Sequence, residues 1–103
     1  MRTVRYAPSA EAAFQTLLAQ GAEKFGFDVA DEKRRLLQTC VRNYLAEHPH
    51  HGLRTPGQSF RHYPVTDTPF TVVFEYDDIE LRVLFLVHQR ADRRRLKLSD
   101  VEW

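Results

Sequence analysis

The chain has 103 residues, 43% of them hydrophobic, enough for one compact domain with an adequate but thin core and no second domain. A formal charge of +1 argues against a protein that binds nucleic acid simply by being strongly basic, and the longest apolar run, Val83 to Val87, is far too short to span a bilayer. Cys40 is the single cysteine, which excludes an internal disulfide and a cysteine-based metal cage. With no apolar signal core after Met1, the expected location is the reducing cytoplasm.

Taken in chain order, Val4 and Tyr6 alternate with Thr3 and Arg5, the period of a half-buried strand. Pro8 stops it, and Ser9 is placed to cap a helix starting near Ala10, with Glu11 in its first turn. Ala13, Phe14, Leu17 and Leu18 form that helix's apolar stripe, Phe25 extends it, and Gly26 ends it. Asp28 is read as the cap of a second helix whose double row, Leu36, Leu37, Cys40, Val41, Tyr44 and Leu45, is the strongest periodic signal in the chain. Glu32, Lys33, Arg34, Arg35, Arg42 and Glu47 oppose that row, so the two helices are expected to pair as a hairpin with one wet side.

Pro49, Gly52, Pro56 and Gly57 mark residues 49–58 as a loop. Aromatic and β-branched residues then predict strands over 60–65 and 70–76, and Asp77 and Asp78 make the tight connection to a strand over 80–88. This last strand is apolar on both faces and therefore central. The predicted class is α+β: an N-terminal strand, an α-helical hairpin and a three-stranded antiparallel meander in one sheet, with the helices on one face. Residues 91–103 have no clear period and are open to three readings: a short helix, a tail, or a segment ordered by a partner.

Charge is unevenly distributed. Acidic residues are spread through the helical half, whereas Arg82, Arg90, Arg93, Arg94 and Arg95 oppose only Asp92 between positions 82 and 95. Cleavage of RNA through its 2′-hydroxyl needs a base, an acid and cations around the phosphate. Arg61, Arg82, His88 and Arg90 are the candidates, with His62 and Arg54 nearby; by parity along an extended segment, Arg82, His88 and Arg90 would share one face. The alternative is that they are ordinary solvent-facing residues. His48, His50 and His51 with Cys40 invite a metal reading, but two of the histidines are adjacent and the group lies where a helix frays. No metal and no cofactor are therefore expected, and Cys40 is read as a small core residue.

Five stretches in order resemble the RelE/ParE toxin superfamily over nearly the whole chain: Tyr6 to Ala12, Tyr44 to Leu53, Phe60 to Val65, Thr68 to Tyr76 and Leu81 to Asp92. Within it, the exit from the last strand, Val87 to Leu96, looks more like the ParE branch. The resemblance implies the toxin of a type II toxin–antitoxin pair, neutralised by a cognate antitoxin that wraps it. A ParE-like member would inhibit DNA gyrase by docking, with Arg90 and Arg93 to Arg95 as target-facing charge. A RelE-like member would cut mRNA on the ribosome, and a degenerate member would do neither. RelE-like enzymes often carry several basic residues and a late tyrosine at the phosphate; here no tyrosine follows Tyr76 and Lys97 is the one lysine after Lys33. For the antitoxin, the expected contacts are Phe14, Leu18 and Phe25 on the first helix, Leu84 or Leu86 on the sheet, and Trp103.

Overall fold

The computed structural model describes residues 2–54 and 57–89. Strand β1 (Thr3–Tyr6) leads to helices α1 (Pro8–Phe25) and α2 (Phe27–Thr39). Helix α2 runs on as a π-turn over Cys40–Leu45, and a 3₁₀ turn follows over Pro49–His51. Strands β2 (Leu53–Arg54), β3 (Arg61–Pro64), β4 (Phe70–Tyr76) and β5 (Glu80–His88) complete one sheet in the order β1-β5-β4-β3-β2. Strand β1 is parallel to β5, and the other pairings are antiparallel. The α+β class, the helical hairpin on the sheet and the β3-β4-β5 meander match the reading of the sequence. The loop expected over 49–58 instead contains the 3₁₀ turn and the short edge strand β2.

The helix starts differ from expectation for local reasons. Pro8 occupies the first turn of α1 and Ala7 takes the cap position, so Ser9 lies inside the helix and its hydroxyl donates to the Leu84 carbonyl at 3.0 Å instead. Gly26, at φ 94°, closes α1 and opens α2, leaving Asp28 in the first turn beyond the cap. This corner is open enough that α1 passes directly into α2.

Leu37, Val41 and Leu45 are fully buried at four-residue spacing. The π-turn, closed by the bond from Ala46 N–H to Val41 C=O at 3.0 Å, offsets the roughly 40° by which each four-residue step overshoots in an α-helix. With Ala10 and Phe14 of α1 these residues meet Val72 and Phe74 of β4 and Leu81, Val83 and Leu86 of β5 in the main core. Half-buried Cys40 packs against the same core, as expected, and burial pushes its thiol up from its ordinary pKa.

Strand β5 carries a bulge. Val73 is opposite Phe85 and Phe74 is opposite Val83, so Leu84 is the extra residue. Before the bulge, Leu81 and Val83 face the helices; after it, Leu86 does, while Leu84, Phe85 and Val87 join Phe60 and Val73 in a second cluster on the other face.

Gly52 connects the 3₁₀ turn to β2. A methyl group there would stand 2.5 Å from the ring of Phe74, which is fully buried. Gly52→Ala is therefore expected to destabilise the chain by about 1–3 kcal/mol through overpacking against the ring, read as a lower urea midpoint.

Candidate functional site

Among the described residues, those proposed from sequence for RNA chemistry do not all share one face of the sheet. Arg82 is opposite Glu75 on the face away from the helices, whereas His88 is opposite Phe70, across the bulge, on the helix-facing side. The parity that would put Arg82 and His88 on one face is broken by the extra residue Leu84, which corrects that expectation. Arg61 and His62 likewise divide: Arg61 pairs with Phe74 of the main core and buried His62 pairs with Val73 of the second cluster. Arg90 lies outside the described residues, as do Arg93, Arg94, Arg95 and Trp103.

Arg82 is engaged by carboxylates. Its Nε donates to Glu75 at 3.0 Å, and one terminal nitrogen donates to Asp77 at 2.9 Å and Glu80 at 3.2 Å. The second Asp77 carboxylate oxygen accepts from the backbone N–H groups of Ile79 and Glu80, both at 2.8 Å, which closes the β4–β5 turn. The Ile79 N–H first, then Arg82 and then the Glu80 N–H hold the Asp77 pKa down at about 2, while Asp77 and the two glutamates hold Arg82 above its ordinary value. A guanidinium with this many anionic partners is a hairpin clamp and a poor phosphate ligand.

A different polar cluster forms on the helix-facing side, beside β3. The π-turn supplies Tyr44, the 3₁₀ turn supplies His50 and His51 just after His48, and β3 supplies Arg61 and Tyr63. The Tyr44 hydroxyl is hydrogen-bonded to His51 Nδ1, and the His48 and His51 rings stack with centroids 5.2 Å apart. Arg61 donates to the Gly52 carbonyl at 2.9 Å, and its guanidinium carbon stands 5.7 Å from the centre of the Tyr76 ring. Arg2 also reaches Tyr76, at 5.2 Å, and donates to the Ala46 carbonyl at 3.3 Å. Lost hydration is the first cause holding His50 below its ordinary pKa, followed by the charges of His51, His48, Arg61 and Arg2. The sequence showed the histidines as neighbours; the approach of Arg2, 46 positions before His48 in the chain, had no local signal.

Apolar surface gathers elsewhere, at the tip of the helical hairpin. Phe25 is 69% exposed, Phe27 74% and Val29 41%. Beside them are two concavities, one of about 110 Å³ bordered by Leu17, Leu18, Phe25 and Val29, and one of about 530 Å³ bordered by Leu18, Ala22, Phe27 and Arg34. Of the residues expected to be left over for a partner, Phe14, Leu84 and Leu86 are buried in the chain itself, which corrects that expectation for those three; Leu18 is half-buried and Phe25 exposed. Phe27 and Val29 were missed because α2 was read as starting at Asp28, with its apolar row beginning at Leu36.

Among the described residues, no helix is long and apolar enough to cross a membrane. No protein-family model matches the chain, and neither does any curated protein. Among solved structures, the chain is similar to one from the chromosomal ParDE TA system of P. aeruginosa, with a TM-score of 0.73 at 15% identity over 85% of this chain and 96% of that one. It is also similar to YafQ from E. coli strain BL21(DE3), with a TM-score of 0.53 at 20% identity over 86% of this chain and 94% of that one. The chain thus has the fold shared by these structures, in agreement with the RelE/ParE resemblance of its sequence.

The Asp77 geometry carries a pH dependence. A carboxyl whose pKa falls from 3.8 to about 2 on folding stabilises the native state above pH 3.8, and that contribution is lost as pH falls towards 2. Asp77→Asn is expected to flatten the loss of stability over this interval, measured as the urea midpoint at successive pH values.

Proposed function

We propose that the chain is the toxin of a type II toxin–antitoxin pair and that it is ParE-like, inhibiting DNA gyrase by docking. The observation that carries the branch assignment is the engagement of Arg82, one of the ribonuclease candidates, by three carboxylates on the sheet face opposite His88. An inhibitor that acts by docking needs no converged acid, base and phosphate cradle, and the proposed gyrase-facing charge is Arg90 with Arg93, Arg94 and Arg95. The fold likeness to the ParDE structure, at a TM-score of 0.73, supports the toxin reading.

The exposed tip of the helical hairpin is the proposed seat of an apolar segment of the antitoxin, with Phe25, Phe27 and Val29 as its anchors beside Leu18. RNA cleavage is the second reading, and one observation favours it. Arg61, His50 and His51 stand together with Tyr44 and Tyr76, a set able to hold a phosphate and move a proton.

Purified chain freed of antitoxin is expected to inhibit gyrase in a DNA supercoiling assay, with added antitoxin restoring activity. A folded chain that leaves supercoiling untouched but cuts mRNA on ribosomes would put the second reading first; one that does neither would point to a degenerate member. Phe27→Ser, which removes an exposed ring, is expected to weaken antitoxin binding at least tenfold in calorimetry, since burying a phenylalanine is worth about 1.5–3 kcal/mol. Unchanged affinity would move the docking surface away from the hairpin tip.

A further inference from the structure

We propose that His48, His50 and His51 form a binding site for one divalent transition-metal ion of the zinc, nickel or copper type. Each ring offers one nitrogen, and the three nitrogens lie within 4.8 Å of one another. Imidazoles around a tetrahedral zinc ion sit at about 2.0–2.1 Å from the metal, which places neighbouring nitrogens about 3.3 Å apart. The His48 and His51 rings are stacked, 13° from parallel, so ligation requires these exposed side chains to turn their ring edges towards a common point.

Adjacent histidines in an extended segment point apart. Here the 3₁₀ turn curls the chain so that the His51 N–H donates to the His48 carbonyl at 3.0 Å and the Gly52 N–H to the Pro49 carbonyl at 3.1 Å. The turn is anchored at both ends: Pro49 is buried, Gly52 abuts Phe74, and Arg61 holds the Gly52 carbonyl. Much of the backbone ordering that a flexible histidine-rich loop would undergo on binding metal is therefore already present.

Tyr44 supplies the outer support. Tyr44 is hydrogen-bonded to His51 Nδ1; in the tautomer that places the proton on Nδ1, Nε2 of His51 would be the ligand and Tyr44 would fix the ring, an outer-shell arrangement common among ligating histidines. An all-imidazole set suits the borderline metals and not magnesium or calcium, which require oxygen ligands. Three protein ligands leave a fourth position for water or an anion. The Arg61 guanidinium, whose nearest nitrogen is 3.5 Å from the His50 carbonyl, raises the local positive charge and so favours an anion there. Bound metal would clamp the 3₁₀ turn between the π-turn and β2, away from the hairpin tip.

The test uses the full chain with any affinity tag removed. Titration with zinc chloride is expected to show one equivalent bound with a micromolar or tighter Kd, and cobalt chloride is expected to give the visible absorption of a low-coordinate cobalt–imidazole site. His48→Ala, His50→Ala and His51→Ala, each checked for native circular dichroism, should weaken zinc binding at least tenfold, and Tyr44→Phe should weaken it less. Should a variant fail to fold, ring resonances of all three histidines in the wild-type chain are expected to move together on zinc addition in carbon–proton correlation spectra. Binding only at millimolar metal, binding unchanged in the three alanine variants, or ring shifts confined to one histidine would each overturn the site.

Discussion

One extra residue in β5 sets the arrangement of nearly everything else. Leu84 interrupts the ladder between β4 and β5, and a strand's side chains alternate with a period of two, so every position beyond the bulge changes face. That shift lets Leu81, Val83 and Leu86 all reach the helices although an even alternation would not allow it. It also sends Phe85 and Val87 to join Leu84 in a second cluster and separates Arg82 from His88. The Leu84 carbonyl receives the Ser9 hydroxyl, so the same residue ties the start of α1 to the sheet.

Two polar devices then fix neighbouring corners of the sheet. At one, Asp77 caps the β4–β5 turn through two backbone N–H groups and, with Glu75 and Glu80, accepts from Arg82. Exposure of much of this network to solvent limits its strength, but the several bonds specify the hairpin register. Towards β2 and β3, Arg61 and the lack of a side chain at Gly52 let the 3₁₀ turn settle against Phe74, which gathers the histidines. Arg2 spans the two devices, donating to the carbonyls of Asp77 and Ala46 and lying over Tyr76.

The apolar surface follows from the corner at Gly26. Because α1 passes directly into α2, Phe25 and Phe27 flank a residue with positive φ at the outer end of the hairpin, and both rings stay largely exposed. A chain of this size has little core to spare, so exposed rings at such a place are an energetic cost that a bound partner would relieve.

Read alone, the sequence determined the α+β class, the order of the main elements, the meander and the bounds of β5. These rest on local periodicity and on turn residues such as Pro8, Gly26 and Asp77, whose effects act over a few positions. The apolar row at Leu37, Val41 and Leu45 located the helix that carries the core, though not its π-turn. Only the tertiary structure decided where the bulge falls, which residues of the last strand share a face, that Arg82 is bound by carboxylates, and that His48, His50 and His51 converge beside Arg61. The bulge and the sharing of faces depend on register between β4 and β5, the carboxylate clamp on the hairpin that this register closes, and the meeting of the histidines with Arg61 on a turn packed beside β3; none of these leaves a periodic mark within one segment.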